Sequence, residues 1–344
     1  MDPLIFTGIP VGLVFGFALS RGRFCMNSAF RDIIVLKDYT LLKAVGLAIL
    51  VSMIGFAVMD RTGVISLSPV TFWWGANIVG GFIFGIGMVL AGGCASGITY
   101  RTGEGMVSAM VSVVGLTFFG LMTSMGVFNP FINYLRSATT ITLADGANLT
   151  LANVFGIPYY ILALAIAGVA LILWAIFAKR GEKESESVSL GEKIFKRGWG
   201  WKSTGIVIGL IGILAFYTST LTGRSYPLAI TGGYLSTAKS LIMGQNFMTW
   251  LPIMVMSTIV GAFLAAIISG EFKLRAPAPK TLIQCFFGGC LMGFGAVCSG
   301  GCNITHILSG VPQLALSSML GGAFIILGCW ATAWLMFLRP MRGL

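Results

Sequence analysis

The chain has 344 residues, 56% of them hydrophobic and 10% charged, with a mean hydropathy of +0.92. That composition excludes an ordinary soluble domain and calls for lipid as the main solvent. A formal net charge of +11 does not point to nucleic acid, because Lys and Arg fall between apolar runs rather than along one face.

A helix needs roughly 20 apolar residues to cross about 30 Å of hydrocarbon. The first apolar run, 3–20, has no basic start and no small-x-small cleavage site, so it reads as a spanning helix rather than a leader. Further spans are predicted at 41–59, 77–91, 105–124, 157–178, 204–221, 247–269, 282–298 and 312–338. With nine spans the termini lie on opposite sides of the membrane. An outer N-terminus leaves Arg61, Arg136, Arg224 and Lys239 outside and puts the other 18 of the 22 Lys and Arg residues inside, as the positive-inside rule requires. The polar stretch 179–203, with Glu182, Glu184, Glu186 and Glu192, reads as a cytoplasmic linker.

The third span, 77–91, has room for only about 22 Å of helix at 1.5 Å per residue and should stop inside the membrane. Gly92 and Gly93 then permit a sharp turn, and Ala95 to Arg101 can restart as a short re-entrant helix. Gly80 to Cys94 (GGFIFGIGMVLAGGC) aligns without gaps on Gly288 to Cys302 (GGCLMGFGAVCSGGC), with 8 of 15 positions identical. Gly22-Arg23-Phe24-Cys25 after the first span is likewise matched by Gly223-Arg224-Ser225-Tyr226 after the sixth, where tyrosine replaces cysteine. The expected fold is therefore an all-α polytopic membrane protein with an inverted internal repeat. Residues 1–178 form the first repeat plus a linking span, and 204–344 form the second, inverted repeat.

Non-helical backbone at membrane depth must be buried in protein or line a wet cavity, which implies cavities around Cys94 and Cys302. A helix restarting there offers free N–H groups and about half a positive charge, favouring an anion. None of the eleven Asp and Glu residues falls in mid-span, so a cation lacks its usual partner.

Cys25, Cys94 and Cys302 each follow a glycine-containing break, formed at the last two by Gly92, Gly93 and by Gly300, Gly301, and are read as functional thiols. Arg23, Asn303 and His306 are neighbouring candidates. Cys285, Cys290 and Cys329 have no such context and read as packing residues, as do the close-packing pairs Gly12-x3-Gly16, Gly81-x3-Gly85 and Gly289-x3-Gly293. Cys298, Cys302 and His306 are spaced by four and raise a soft-metal site. Cys94 has no cysteine four residues before it, however, so no metal and no cofactor is assigned.

The blocks GRFCMNSAFRD (22–32), MVLAGGCASGITYRTGEG (88–105), GRSYPLAITGG (223–233), GEFKLRAP (270–277) and GAVCSGGCNITHILSGVPQLALSS (295–318) resemble the YeeE/YedE family. The resemblance implies an hourglass-shaped protein of the bacterial or archaeal cytoplasmic membrane that imports thiosulfate for cysteine synthesis. It implies that Cys25, Cys94 and Cys302 handle the ion in turn at the midplane, beside a small TusA-like sulfur-carrier protein (TsuB) on the inner side. Three other readings stay open: transport of another small sulfur or selenium compound, a membrane thiol enzyme or sulfurtransferase working through a persulfide, and a purely structural or sensor protein.

Overall fold

The computed structural model describes residues 3–143, 146, 148–177, 190–244 and 249–341. Glu182, Glu184 and Glu186 of the expected linker lie outside the described residues.

Among the described residues, eight segments are long and apolar enough to cross a membrane, and two of them are broken. Pro3–Val35 divides into helices α1 (Gly8–Arg21) and α2 (Met26–Val35), and Trp74–Gly103 into α4 (Trp74–Leu90) and α5 (Ala95–Gly103). Between them runs α3 (Thr40–Arg61), and α6 (Val107–Ser124) follows. After the short helices α7 (Asn129–Ala138) and α8 (Leu151–Phe155), α9 (Tyr159–Phe177) stands where the span 157–178 was expected. Its apolar part, Tyr159–Trp174, is shorter than the other eight.

The rest of the chain comprises α10 (Leu190–Phe195), α11 (Trp201–Thr220), α12 (Thr231–Met243), α13 (Trp250–Ile268) and α14 (Pro279–Ser299). A π-helical segment, Ile304–Gly310, and α15 (Leu316–Ala333) follow. The expected span 312–338 begins late because 311–314 forms turns and Ala315 an isolated bridge with Thr150 rather than helix. A two-residue antiparallel pairing of Phe72–Trp73 with Thr140–Ile141 was not foreseen.

Helix α14 packs between α4 and α6, α15 packs on α4, and α1 packs on α13. The expected glycine pairs make these contacts close. A Cβ built on Gly12 would lie 2.2 Å from the Met254 carbonyl oxygen, and one on Gly85 2.3 Å from that of Ile325. In lipid, where apolar surface gains little by hiding from apolar tails, such close backbone contact is what holds helices together. Cys25, Cys94 and Cys302 belong to one contiguous buried cluster that draws on both halves of the chain.

Candidate functional site

Three of the four breaks seen in the sequence lead straight into helix. Cys25 is the N-cap of α2, Cys94 is the N-cap of α5, and Cys302 stands one residue before Asn303, which caps the π-helical segment. All four breaks carry a left-handed residue, Arg23 at φ +45°, Gly92 at φ +69°, Gly223 at φ +78° and Gly300 at φ +85°, a conformation that strains a side chain and favours glycine. At Gly300 a Cβ would also lie 2.8 Å from the Trp73 ring.

The breaks converge. Cys25 Sγ and Cys94 Sγ lie 3.7 Å apart, and both side chains are buried. Cys94 Sγ accepts the Gly97 backbone N–H at 3.4 Å and contacts Ser96 Oγ at 3.3 Å. Asn303, from the other half of the chain, joins them: its Oδ1 accepts the Ala95 N–H at 3.2 Å, and its Nδ2 lies 3.1 Å from Met26 Sδ. One amide thus touches the residues following Cys25 and Cys94, while Cys302 is its own chain neighbour. The helix-start N–H groups expected to face an anion at Cys94 are therefore partly taken, Ala95 by Asn303 and Gly97 by Cys94 itself.

Cys302 differs in that it lines a cavity of about 360 Å³, shared with Arg136, Arg224, Tyr226, Thr231 and Thr305. Its Sγ is 3.5 Å from Thr305 Oγ1, and the Tyr226 hydroxyl donates to the Thr305 carbonyl at 2.8 Å. Arg224 donates to the carbonyls of Tyr226 and, at 2.6 Å, Pro227, with its guanidinium 5.7 Å from the Trp250 ring centre. Arg136 donates to the carbonyls of Val297 and, at 3.3 Å, Cys298, and stacks 4.2 Å over Trp73. No carboxylate among the described residues forms an ion pair with either arginine. The Thr231 hydroxyl, at the first turn of α12, is buried at the cavity wall without a hydrogen-bond partner. Two uncompensated cations, an unused hydroxyl and a helix start suit a small anion.

The remaining candidates divide. Arg23, at φ +45°, is largely exposed and pairs with Glu271 at 3.2 Å, so it does not join the cysteine cluster. Glu271 also takes Arg21 at 2.6 Å. His306 is buried between Ser318 Oγ and Ser299 Oγ, each 3.3 Å from a ring nitrogen, and packs rather than facing the cavity. Cys298 Sγ points to the Ala76 carbonyl at 3.7 Å, away from a shared ligand position with Cys302 or His306. Among the described residues no three His, Cys, Asp or Glu side chains cluster as a metal site would. Cys285 and Cys329 pack against backbone and side-chain oxygens of neighbouring helices.

Sequence reasoning assigned Arg136 to topology alone and Arg224 to topology and to the repeated Gly-Arg element, and neither to a site. The signal was present: they are two of only four cations on the side read as outer. Gly97, whose missing side chain leaves room for both sulfurs, carried no signal beyond its place in the first turn after Cys94.

A family model described as sulphur transport matches residues 21–331. The chain belongs to the sulphur transport family. The matched region of this family contains every break and every cavity arginine. A relative named thiosulfate transporter TsuA from Spirochaeta thermophila is 41% identical over 347 residues, covering 98% of this chain and 100% of that protein. A second protein of that name, from Escherichia coli, is 31% identical over 350 residues, 99% of this chain and 97% of its own length. A probable transporter YedE from Escherichia coli is 40% identical over 97 residues, 28% of this chain and 23% of that protein. Family members sharing this chain's full length are thus named as transporters, not enzymes.

Proposed function

We propose that this chain imports thiosulfate across the cytoplasmic membrane of a bacterium or archaeon, with its N-terminus outside and its C-terminus inside. The carrying observation is the cavity that sets two carboxylate-free arginines beside Cys302. Arg136, Arg224 and Thr231 receive the dianion, Cys302 takes it at the cavity wall, and the Cys94–Cys25 pair passes it inward. Supporting this direction is the charge distribution: Arg136 and Arg224 belong to the few cations left outside by the positive-inside rule. The inverted repeat, 1–178 against 204–344, makes the two Gly-Gly-Cys breaks approach the midplane from opposite sides.

The thiols act as neutral S–H donors, since a thiolate would repel the ion. A helix terminus supplies roughly 0.3 to 2 kcal/mol, against an idealised cost of order 20 for burying an ion, so the dry part of the path must be short. The inside-negative potential opposes a dianion by roughly 4.6 kcal/mol at about 100 mV. With no mid-span carboxylate for coupling, capture on the inner side by a TusA-like sulfur carrier supplies the pull.

Growth on thiosulfate as sole sulfur source, in a host lacking its own uptake, tests the assignment. The intact chain restores growth and single alanine changes at Cys25, Cys94 and Cys302 abolish it. Growth with all three variants would discard the cysteine path. Uptake into vesicles that continues without any carrier and collapses with the proton gradient would discard the coupling.

A further inference from the structure

Of the seven cysteines, Cys25 and Cys94 are a sulfur pair, with Sγ atoms 3.7 Å apart, whereas Cys302, Cys298, Cys285 and Cys329 contact oxygen. A disulfide needs about 2.05 Å between sulfurs, so a gap of roughly 1.7 Å must close by rotation of the two side chains and a small approach of the helix starts. Gly97 leaves the space: a Cβ there would stand 2.6 Å from Cys25 Sγ and 3.4 Å from Cys94 Sγ, so the two sulfurs are its nearest neighbours. Each cysteine caps a helix start, which puts the positive end of a helix dipole at a sulfur that must act as nucleophile. Both are buried, so a small oxidant such as hydrogen peroxide suits them better than a bulky one.

We infer that Cys25 and Cys94 form an oxidisable dithiol, converted by hydroperoxide to a disulfide that closes the path. One sulfur attacks the O–O bond of hydrogen peroxide, giving a sulfenic acid and one water. The second sulfur then attacks the sulfenic sulfur, the S–S bond forms, and the sulfenic oxygen leaves as a second water with the remaining proton. Two thiols are oxidised by two electrons and the peroxide is reduced by two. The disulfide removes both S–H donors from the junction and draws the two helix starts together. A dithiol reductant reverses it by exchange. The block on transport rests on the proposed path through these residues; the bond itself does not.

The test uses the intact protein in liposomes, treated with hydrogen peroxide and digested under non-reducing conditions. Mass spectrometry should find the Cys25 and Cys94 peptides joined, two hydrogens lighter than their sum, in the intact chain and in Cys302→Ser. Thiosulfate uptake should fall at least tenfold and return with dithiothreitol. Absence of the joined peptide, uptake unchanged despite it, or a loss that dithiothreitol does not restore each overturns the inference. Undiminished uptake by Cys25→Ala and Cys94→Ala would instead remove the cysteine path. The joined peptide and its effect on the intact chain would still decide the dithiol.

Discussion

Replacing Gly97 with alanine adds one methyl group at the meeting point of two sulfurs. The new Cβ would lie 2.6 Å from Cys25 Sγ, whereas heavy atoms rest at about 3.5 to 4.0 Å, so the sulfur must retreat by roughly 1 Å. Overpacking of this kind costs about 1 to 3 kcal/mol. Alanine in place of glycine within α5 returns about 0.5 to 1 kcal/mol through helix propensity, leaving a modest net loss of stability. The transport effect is larger, because the 3.7 Å sulfur contact cannot survive that retreat. We expect Gly97→Ala to lose at least tenfold in thiosulfate uptake by liposomes, while a thermal melt in detergent shows a folded protein. Gly168→Ala, where a Cβ meets nothing within 4 Å, should transport normally. Full uptake by Gly97→Ala would refute the argument that the sulfur junction limits passage.

Arg224→Ala and Arg136→Ala should each raise the half-saturating thiosulfate concentration about tenfold, equivalent to about 1.4 kcal/mol, and initial-rate uptake at low and high salt should show the penalty shrinking as salt rises. Thr231→Val removes a buried hydroxyl that has no protein partner. Its melting temperature should therefore not fall, while half-saturation rises about fivefold, for a lost hydrogen bond worth about 1 kcal/mol. Partial burial disfavours the charge on Glu271, but the hydrogen bond from Arg21 and the charges of Arg21 and Arg23 outweigh it and hold the carboxyl below its ordinary range. Its stabilising contribution is therefore complete above the unfolded carboxyl's pKa and is lost as pH falls through the lower folded value. Melts from neutral to acid pH should show Glu271→Gln less stable than the parent at neutral pH, with the difference shrinking towards acid.

The membrane class, the span positions and the two Gly-Gly-Cys turns were legible because each follows from local chemistry: long apolar runs, a span too short to cross, glycines where the chain must turn. The restart at Ala95 was also legible, as α5 shows. The cavity was not, because Arg136 lies on a short helix and Arg224 in the loop after α11, and only tertiary packing brings them to one wall with Cys302. Arg23 misled for a related reason. Its motif matches that of Arg224, yet Arg23 pairs with Glu271 whereas Arg224 rests on backbone carbonyls and aromatic rings. Sequence spacing did not separate the two environments. Asn303 stood out only as the neighbour of Cys302; that its amide reaches Ala95 and Met26 depends on the two breaks facing one another.

That amide has a kinetic consequence. Any motion that swung one half of the chain against the other would pull Asn303 from the Ala95 N–H and from Met26 at once, and would separate backbones that glycine holds in direct contact. A protein pinned at its centre in this way should move its cargo without swinging its halves apart, so the activation enthalpy of uptake should be small. Between 10 and 30 °C the rate should follow the ion's own desolvation and diffusion rather than the steep temperature dependence of a carrier that must rebuild its core in every cycle.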